Sequence, residues 1–470
     1  MQKRRRSVSG DADEISDSTD MSSACDRRAR DRDLAIGQHR DQSSMARQIL
    51  RSRGVGSNCS VGVVRWWFVS ACLLSWTLAA IAQLSESDVR ALQEIRNNLE
   101  DLPGSSFFSS WNFSTDSATN PCDSFKGVQC YVVDGVQRVV VLNIGEPTAG
   151  SPGLKGTLSE AVGRLTALAQ FSIVPGAVSG SIPWTLGSLT NLQFLGLYGN
   201  KFAGNIPWQM SNLNRLQSVI LTDNQLSGPI PDGVAKLPSL STLSVANNKL
   251  SGELPDFSAA TSLKHLDLTK NELTGKLPLL PYGIKYVSLA NNRLGGGLDR
   301  LTGLRSLTYL DLGSNELTGE VLAEAFSFPL QYLLLDRNRL SGSLYIPLPC
   351  KIEVVDLSYN NLSGSVPTAL AGVKNLYLNN NRFSGMVPPI YAFNLQSAVV
   401  ETLFLQNNFL IGLTNLLPGM SLPADVTLCF QFNCGLPPLQ SACPSRGGRD
   451  DTRPILDCLN PELTHDGDHP

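Results

Sequence analysis

Residues 192–231 read LQFLGLYGNKFAGNIPWQMSNLNRLQSVILTDNQLSGPIP and contain one spacing of residues twice. Apolar residues stand at the first, fourth, sixth and eleventh positions of each unit and asparagine at the ninth, as in L-x-x-L-x-L-x-x-N-x-L. Aligned on itself, the chain shows this pattern eleven times at steps of 21 to 27 residues, which indicates a repeat architecture. The units begin at Leu168, Leu192, Leu216, Leu240, Leu263, Ile284, Leu307, Leu330, Ile352, Val373 and Val400.

The fourth and sixth positions, such as Leu195 and Leu197, fall on one face of a short strand because side chains alternate along a strand. One unit cannot cover its own apolar face, so each is stable only when stacked on its neighbours. The sequence therefore predicts an α/β repeat fold, a right-handed solenoid with a parallel concave sheet. An earlier, degenerate turn at residues 139–158 brings the expected number of repeats to eleven or twelve.

The ninth position forms a column of asparagines, with Gly176 in its place in the first unit. An amide there can bond to backbone groups that the sharp turn after the strand leaves unpaired, so we interpret the column as structural. Its members are Asn200, Asn224, Asn248, Asn271, Asn292, Asn315, Asn338, Asn360, Asn381 and Asn408. Segments such as LSGPIP (226–231) follow the column, and their glycine permits a turn while their proline ends strand pairing.

An apolar run from Trp66 to Ala82, preceded by Arg65, predicts a signal peptide over 65–82 with cleavage before Gln83. An uncleaved signal anchor is the alternative. Residues 1–64 cannot build a core and are interpreted as a disordered or mis-annotated leader, with Met45 as an alternative start. In either case the rest of the chain is expected outside the cell, in the apoplast or cell wall, or tethered to the membrane by the anchor.

Charge excludes nucleic acid as the expected partner. The net charge is −3, but residues 1–65 hold 13 basic and 9 acidic residues, which leaves 25 basic and 32 acidic residues, or −7, for the remainder. Phosphate binding needs a concentrated basic face.

Seven cysteines follow residue 82, and six of them cluster at the two ends of the repeats. None has the paired C-x-x-C spacing of a zinc site, and in an oxidising compartment such clusters predict disulfides. We expect Cys122 to pair with Cys130, and Cys429, Cys434, Cys443 and Cys458 to form two bonds in one of three connectivities. Cys350 is the odd one out, and we expect a buried, reduced thiol there in preference to an intermolecular bridge. The tail is polar, so we expect no second membrane span and no cytoplasmic output domain.

These motifs resemble plant-type leucine-rich-repeat extracellular proteins, in particular secreted, kinase-less relatives of plant receptor ectodomains. The resemblance rests on the repeats, on SDVRALQEIRNNL, SSWNF and NPCDSFKGVQC at residues 87–130, and on the cysteine-rich tail. It implies a second short strand per turn and an amino-terminal cap closed by Cys122 and Cys130. The expected parts are a cap at 83–138, a solenoid at 139–425, a carboxyl-terminal cap at 426–460 and a disordered tail at 461–470.

No constellation indicates catalysis, a cofactor or a metal, so we expect a binding protein and not an enzyme. His265 has no second histidine or cysteine at ligand spacing and is interpreted as a surface residue. The glycines at 295–297 follow a column asparagine and open no helix, so they form a turn. Three carboxylates at the outward fifth strand position are interpreted as solvated surface groups, namely Asp267, Asp311 and Asp356.

Aromatic residues at outward strand positions are the candidate partner-binding site. Tyr286, Tyr309 and Tyr332 occupy the third position of successive turns and should form a column about 5 Å apart. Nearby fifth positions hold Leu334, Tyr377 and Phe404. Tyrosine is enriched in binding hot spots, but the same rings can also stack only to stiffen the sheet.

Two further features concern ligands and glycans. Arg337 and Arg339 straddle Asn338 and are weighed as a clamp for a ligand carboxylate. Asn112 and Asn361 begin glycosylation sequons.

The function that we expect is binding of an extracellular peptide, receptor ectodomain or secreted pathogen protein on the concave face, in cell-surface signalling or defence. One alternative is an inhibitor of pathogen wall-degrading enzymes, similar to polygalacturonase-inhibiting proteins. The other is a structural cell-wall protein, against which the missing Ser-Pro-rich tail counts.

Overall fold

A computed structural model describes residues 83–113, 120–146, 152–413, 421–438, 441, 443 and 452–459. The predicted leader and signal segment, residues 1–82, and the predicted tail, residues 461–470, lie outside these ranges. No helix within the described ranges is both long enough and apolar enough to span a bilayer.

One long sheet runs through all the turns and contains fourteen strands in the described part of the chain. Its first two strands are antiparallel, and every later strand is parallel to its neighbours. In chain order the strands are Val128–Val133, Val136–Ile144, Gln170–Ile173, Phe194–Gly196, Ser218–Ile220, Thr242–Ser244, His265–Asp267, Tyr286–Ser288, Tyr309–Asp311, Tyr332–Leu334, Val354–Asp356, Asn375–Tyr377, Thr402–Phe404 and Thr427–Cys429.

Most turns also carry a second short strand, as the resemblance implied, and these strands form two smaller sheets. The seven-stranded sheet comprises Leu99–Asp101, Leu154–Thr157, Ala177–Gly180, Lys201–Gly204, Gln225–Gly228, Lys249–Glu253 and Glu272–Thr274. The six-stranded sheet comprises Gly295–Gly296, Glu316–Gly319, Arg339–Ser343, Asn361–Gly364, Arg382–Val387 and Phe409–Leu413. Gly228 ends its strand at φ +72°, a left-handed conformation that glycine adopts without steric cost.

In most turns a short helix connects the second strand to the long sheet of the next turn, whereas the helices Glu86–Asn98, Pro121–Ser124 and Ile455–Leu459 lie in the caps. The α-helices are Glu86–Asn98, Pro121–Ser124, Asp232–Ala235, Pro389–Gln396 and Ile455–Leu459. The 3₁₀ helices are Phe107–Ser110, Glu160–Arg164, Trp184–Ser188, Trp208–Asn212, Asp299–Leu301, Ala323–Ser327 and Thr368–Leu370. Their buried residues, such as Leu186 and Met210, face strand residues such as Leu195 across a continuous apolar core.

The asparagine column binds backbone groups, which confirms its structural interpretation. In one representative turn, the Asn292 Nδ2 donates to the carbonyls of Leu268 and Leu289 at 3.0 Å each. Its Oδ1 accepts from the Leu273 N–H at 3.1 Å. Because these backbone groups are buried, the amide supplies partners that water cannot. The residue before the asparagine is left-handed in this turn, with Asn291 at φ 56°.

The amino-terminal cap is anchored by a buried carboxylate. Asp88, on the first helix, accepts from Arg138 Nε at 3.0 Å and Nη2 at 3.0 Å and from the Val139 N–H at 2.9 Å. Arg138 also donates to Thr166 Oγ1 at 3.0 Å, so the ion pair connects the cap to the first repeat. The Asp88 side chain is fully buried, so its charge requires direct partners, and these hydrogen bonds provide them.

The carboxyl-terminal cap continues the solenoid, which sequence reasoning missed. Thr427–Cys429 pairs in parallel with Thr402–Phe404, and Asn433 extends the asparagine column. The Asn433 Nδ2 donates to the Leu405 carbonyl at 3.0 Å. Asp425 takes the first repeat position, where the pattern requires an apolar residue, and this substitution hid the turn.

Disulfides lie at both ends of the solenoid, as predicted. Cys122 is bonded to Cys130 in the amino-terminal cap. At the other end the structure selects one of the three possible connectivities and pairs Cys429 with Cys443 and Cys434 with Cys458. Cys350 is a free, buried thiol, and burial raises its pKa.

Candidate functional site

The outward side of the long sheet, which we term the sheet face, carries a column of stacked rings. His265, Tyr286, Tyr309 and Tyr332 are neighbours in register on four successive strands. Their ring centroids are separated by 4.1 Å, 4.3 Å and 5.5 Å along the column, with interplanar angles of 11°, 9° and 45°. His265, which the sequence suggested was isolated, is therefore the first member of the column.

Stacking buries part of the column, contrary to the expectation that the outward residues are exposed. Tyr309 lies between Tyr286 and Tyr332 and is only 6% exposed, and Leu334 is only 8% exposed. Tyr286 and Tyr332 are half-buried. A partner could contact these two rings directly, whereas Tyr309 and Leu334 offer little surface.

A second aromatic group lies closer to the carboxyl end of the sheet face. Tyr377 and Phe404 are opposite each other in register, and their rings meet edge to face at 5.3 Å. The strand Val354–Asp356 separates them from the strand of Tyr332. The structure therefore brings the candidate residues together as two groups on one face. Each group contains half-buried rings.

Two amide oxygens beside the second aromatic group have no hydrogen-bond partner in the described part of the chain. They are Oδ1 of Asn379 and Oε1 of Gln406, each two residues after a ring of the pair. A buried acceptor without a donor costs free energy. The repeat pattern does not specify the seventh position, where both residues stand, so sequence reasoning did not identify them.

The carboxylates of the sheet face are not all solvated, and the sequence interpretation was wrong for two of them. Asp311 and Asp356 are buried. The Asp311 Oδ1 accepts from the Gly313 N–H at 3.1 Å. The Asp356 Oδ1 accepts from the N–H and hydroxyl of Ser358 at 3.0 Å and 2.5 Å. These bonds to residues just beyond each strand compensate the burial, whereas Asp267 remains half-buried.

The two arginines weighed as a carboxylate clamp each have a separate partner. The Arg337 guanidinium lies 4.2 Å from the centroid of the Tyr359 ring. Arg339 forms an exposed ion pair with Glu316 at 3.2 Å. Their side chains therefore do not converge on a common point through these contacts.

The remaining predicted sites are the two glycosylation sequons. Asn112 and Asn361 are both exposed, which is compatible with glycosylation, although Ser114 of the first sequon lies outside the described residues. Across the described ranges, no group of three or more His, Cys, Asp or Glu side chains is arranged to hold a metal ion.

Comparisons with known proteins identify repeat domains in this chain. A model of the leucine rich repeat N-terminal domain matches residues 85–131. Leucine rich repeat models match residues 259–276, 303–320 and 351–373. No curated protein sequence matches this chain significantly.

Several solved structures share the fold. The crystal structure of PEPR1–AtPEP1 is 27% identical with a TM-score of 0.57, over 75% of this chain and 56% of that one. A TDR receptor is 28% identical with a TM-score of 0.52, over 59% and 54% of the two chains. The ectodomain of the receptor kinase GASSHO1/SCHENGEN3 from Arabidopsis thaliana, in complex with CASPARIAN STRIP INTEGRITY FACTOR 2, is 26% identical with a TM-score of 0.50, over 73% and 50%.

The match thus spans about half the length of these receptors, 50% to 56%. The matched family domains lie in the cap and in the repeats of the stacked parallel sheet. The chain therefore contains a leucine-rich-repeat N-terminal domain and leucine-rich repeats, and it shares the fold of the plant receptor-kinase ectodomains to which it is similar.

Proposed function

We propose that this protein is an extracellular, non-enzymatic binding protein that holds an extended peptide or protein segment across the sheet face. The observation that carries the proposal is the row of half-buried rings on one face, formed by His265, Tyr286, Tyr332, Tyr377 and Phe404. Aromatic side chains supply large apolar contact area, lose little conformational entropy on binding and are enriched in binding hot spots.

Peptide binding also fits the polar groups beside the rings. A peptide has an N–H on nearly every residue, and the unpaired oxygens of Asn379 and Gln406 are acceptors next to the Tyr377–Phe404 pair. Apolar side chains of the partner would contact the rings while its N–H groups approach these amides after small side-chain rotations. The similar PEPR1 and GASSHO1/SCHENGEN3 structures were solved with AtPEP1 and CASPARIAN STRIP INTEGRITY FACTOR 2, which supports a peptide or protein partner by analogy.

A catalytic role is not proposed for the buried carboxylates. Asp311 and Asp356 are held by backbone or hydroxyl donors at the ends of their own strands. A general acid or base must reach a substrate proton, and these buried carboxylates already accept bonds from their own chain. Their geometry supports a structural role in the strand ends.

Secretion is part of the proposal. The three disulfides at the ends of the solenoid are of a kind that forms and persists in oxidising compartments. The apolar segment at 65–82 would direct export, with an uncleaved anchor as the alternative.

A peptide-display selection on the secreted protein tests the proposal. We expect selected peptides to bind the double variant Tyr332→Ser/Phe404→Ser about thirtyfold more weakly, a loss of about 2 kcal/mol. Tyr332 and Phe404 each contact one neighbouring ring, whereas Tyr309 contacts two. Their removal therefore disturbs the column less than removal of Tyr309 does.

The matched control is Tyr282→Ser/Tyr345→Ser, which removes two tyrosines that are 76% and 73% exposed and lie outside the long sheet. Peptide binding should be unchanged in this control. Equal binding by a folded Tyr332→Ser/Phe404→Ser variant, or a selection that yields no specific peptide, would refute binding through the aromatic sheet face.

A further inference from the structure

Two exposed tryptophans stand on neighbouring turns, away from the sheet face. Trp184 and Trp208 are 57% and 68% exposed, although indoles usually contribute to cores. Each is the first residue of a 3₁₀ helix. Each directly follows an Ile-Pro dipeptide that comes after the second strand of its turn. We term these two residues the tryptophan pair.

Close packing of the helices brings the pair onto one surface. A Cβ on Gly187 would come within 2.5 Å of the Cβ and carbonyl oxygen of Gln209, so only glycine allows this approach. The two turns are in register, with Phe194 opposite Ser218 in the long sheet. Both helices begin at the equivalent position of their repeats, so the two indoles project from adjacent turns on the same side of the solenoid.

The two helices that carry the pair are polar but contain no charged side chain. Neither helix has an acidic residue in its first turn or a basic residue in its last turn. From residue 181 to 213 the only charged side chain is Lys201. The neighbouring helices on the two sides begin with the exposed acids Glu160 and Asp232. The row therefore has two indoles at its centre, with hydroxyls and amides beside them and one carboxylate at each end.

The apolar area of the pair is too small for a stable protein interface. Two indole side chains exposed to this degree offer about 200–300 Å², whereas one side of a standard interface buries about 800 Å². In the described residues, no exposed aliphatic side chain in either helix enlarges the patch. A partner that uses this surface must be narrow and must bind mainly through two rings.

We propose that the tryptophan pair is a binding platform for an extended neutral glycan chain. A pyranose ring presents polarised C–H groups on its faces and hydroxyls around its rim. The C–H groups would pack on the electron-rich faces of Trp184 and Trp208. The hydroxyls would bond to flanking amides, hydroxyls and the two carboxylates, which accept strongly.

Charge selects the class of glycan. The acids at the ends of the row repel a uronic-acid polymer, and no basic side chain stands in the two tryptophan helices to attract one. A cationic peptide is the competing occupant, because indole faces and carboxylates also attract guanidinium groups. A protein segment of that kind would bind through charge, and its affinity would fall steeply with salt.

Tryptophan fluorescence of the secreted product, cleaved before Gln83, provides the test. Of the three tryptophans after residue 82, Trp111 is buried, so a ligand on the platform changes the emission of the other two. Cellohexaose, mannohexaose and xylohexaose are the neutral probes, with hexagalacturonate and hexa-arginine for comparison. We expect at least one neutral probe to shift the emission to shorter wavelength, saturably and with little dependence on salt.

Variants connect the signal to the site. By isothermal titration calorimetry, Trp184→Ala and Trp208→Ala should each weaken binding of that oligosaccharide by about tenfold or more. Tyr282→Ala, which removes an exposed ring elsewhere, should bind as the unaltered protein does. Absence of binding by all three neutral probes, tighter salt-sensitive binding of hexa-arginine, or full binding by the Trp184→Ala/Trp208→Ala variant would each overturn the proposal.

The platform and the sheet face are on different parts of each turn, so this inference does not rest on the proposed function. The strand Phe194–Gly196 contributes to the long sheet, and the core separates it from the helix that carries Trp208. Loss of glycan binding in the tryptophan variants should leave peptide binding intact, and the Tyr332→Ser/Phe404→Ser variant should retain glycan binding.

Discussion

Replacement of Tyr309 by alanine should destabilise the centre of the solenoid. Tyr309 is 6% exposed and contacts rings on both sides, at 4.3 Å and 5.5 Å between centroids. Truncation of a buried aromatic residue typically costs about 3–5 kcal/mol. Two ring pairs contribute about 1–3 kcal/mol of that loss beyond area burial. We therefore expect the free energy of unfolding to fall by about 3–5 kcal/mol.

Equilibrium urea unfolding followed by circular dichroism measures this loss, and hydrogen exchange locates it. Exchange should accelerate in the strands Tyr286–Ser288 and Tyr332–Leu334 before it does in the caps, because each repeat depends on its immediate neighbours. Tyr309→Phe keeps both ring contacts and removes only the hydroxyl, so it should lose about 1.5 kcal/mol or less. Tyr282→Ala, at an exposed site, should change stability by about 0.5 kcal/mol or less.

The reasoning fails if Tyr309→Ala unfolds at the same urea concentration as Tyr282→Ala. Such a result would mean that the column contributes little to stability and that its rings are free to serve a partner. Equal losses for Tyr309→Phe and Tyr309→Ala would refute it in another way, because the hydroxyl and not the ring stack would then carry the stabilisation.

Three further predictions concern the cap, the column and the free thiol. Asp88→Ala should cost about 3–5 kcal/mol in urea unfolding because it leaves Arg138 and a buried N–H without their acceptor. Glu94→Ala, which removes an exposed ion pair, should cost about 1 kcal/mol or less, and similar losses for the two variants would contradict the cap model. Asn292→Ala should cost about 1–3 kcal/mol with faster exchange of the Leu273 amide, and unchanged exchange there would argue against the column bonds. Cys350 should resist iodoacetamide at pH 8 until the protein unfolds, because burial raises its pKa and keeps the thiol protonated; rapid native labelling in peptide maps would contradict this.

Local patterns were sufficient for the fold. The strand residues Leu195 and Leu197 and the asparagines of the column recur at one spacing, and that spacing alone requires stacked turns. The column's role was also predictable, because a buried amide after a sharp turn has few other uses. Only the last turn was missed, since Asp425 replaces the apolar residue that begins every other unit.

Neighbouring turns decided what the candidate site looks like. Strand alternation correctly placed Tyr309, Leu334, Asp311 and Asp356 outward, but outward is not the same as exposed. Burial at those positions depends on side chains of adjacent turns, which stand more than twenty residues away in sequence. The repeat consensus leaves these positions variable, so it carries no information about how they pack.

The same distinction, between what one turn determines and what neighbouring turns determine, applies to the terminal cysteines and the tryptophan pair. Cysteine spacing left three connectivities open, and three-dimensional proximity selected the pairs Cys429–Cys443 and Cys434–Cys458. The tryptophan pair likewise required the approach of two helices at Gly187, a contact between turns. Sequence periodicity determines which side chains face the core, because that depends on geometry within a turn. The surface available to a partner depends on packing between turns, and only the tertiary structure specifies it.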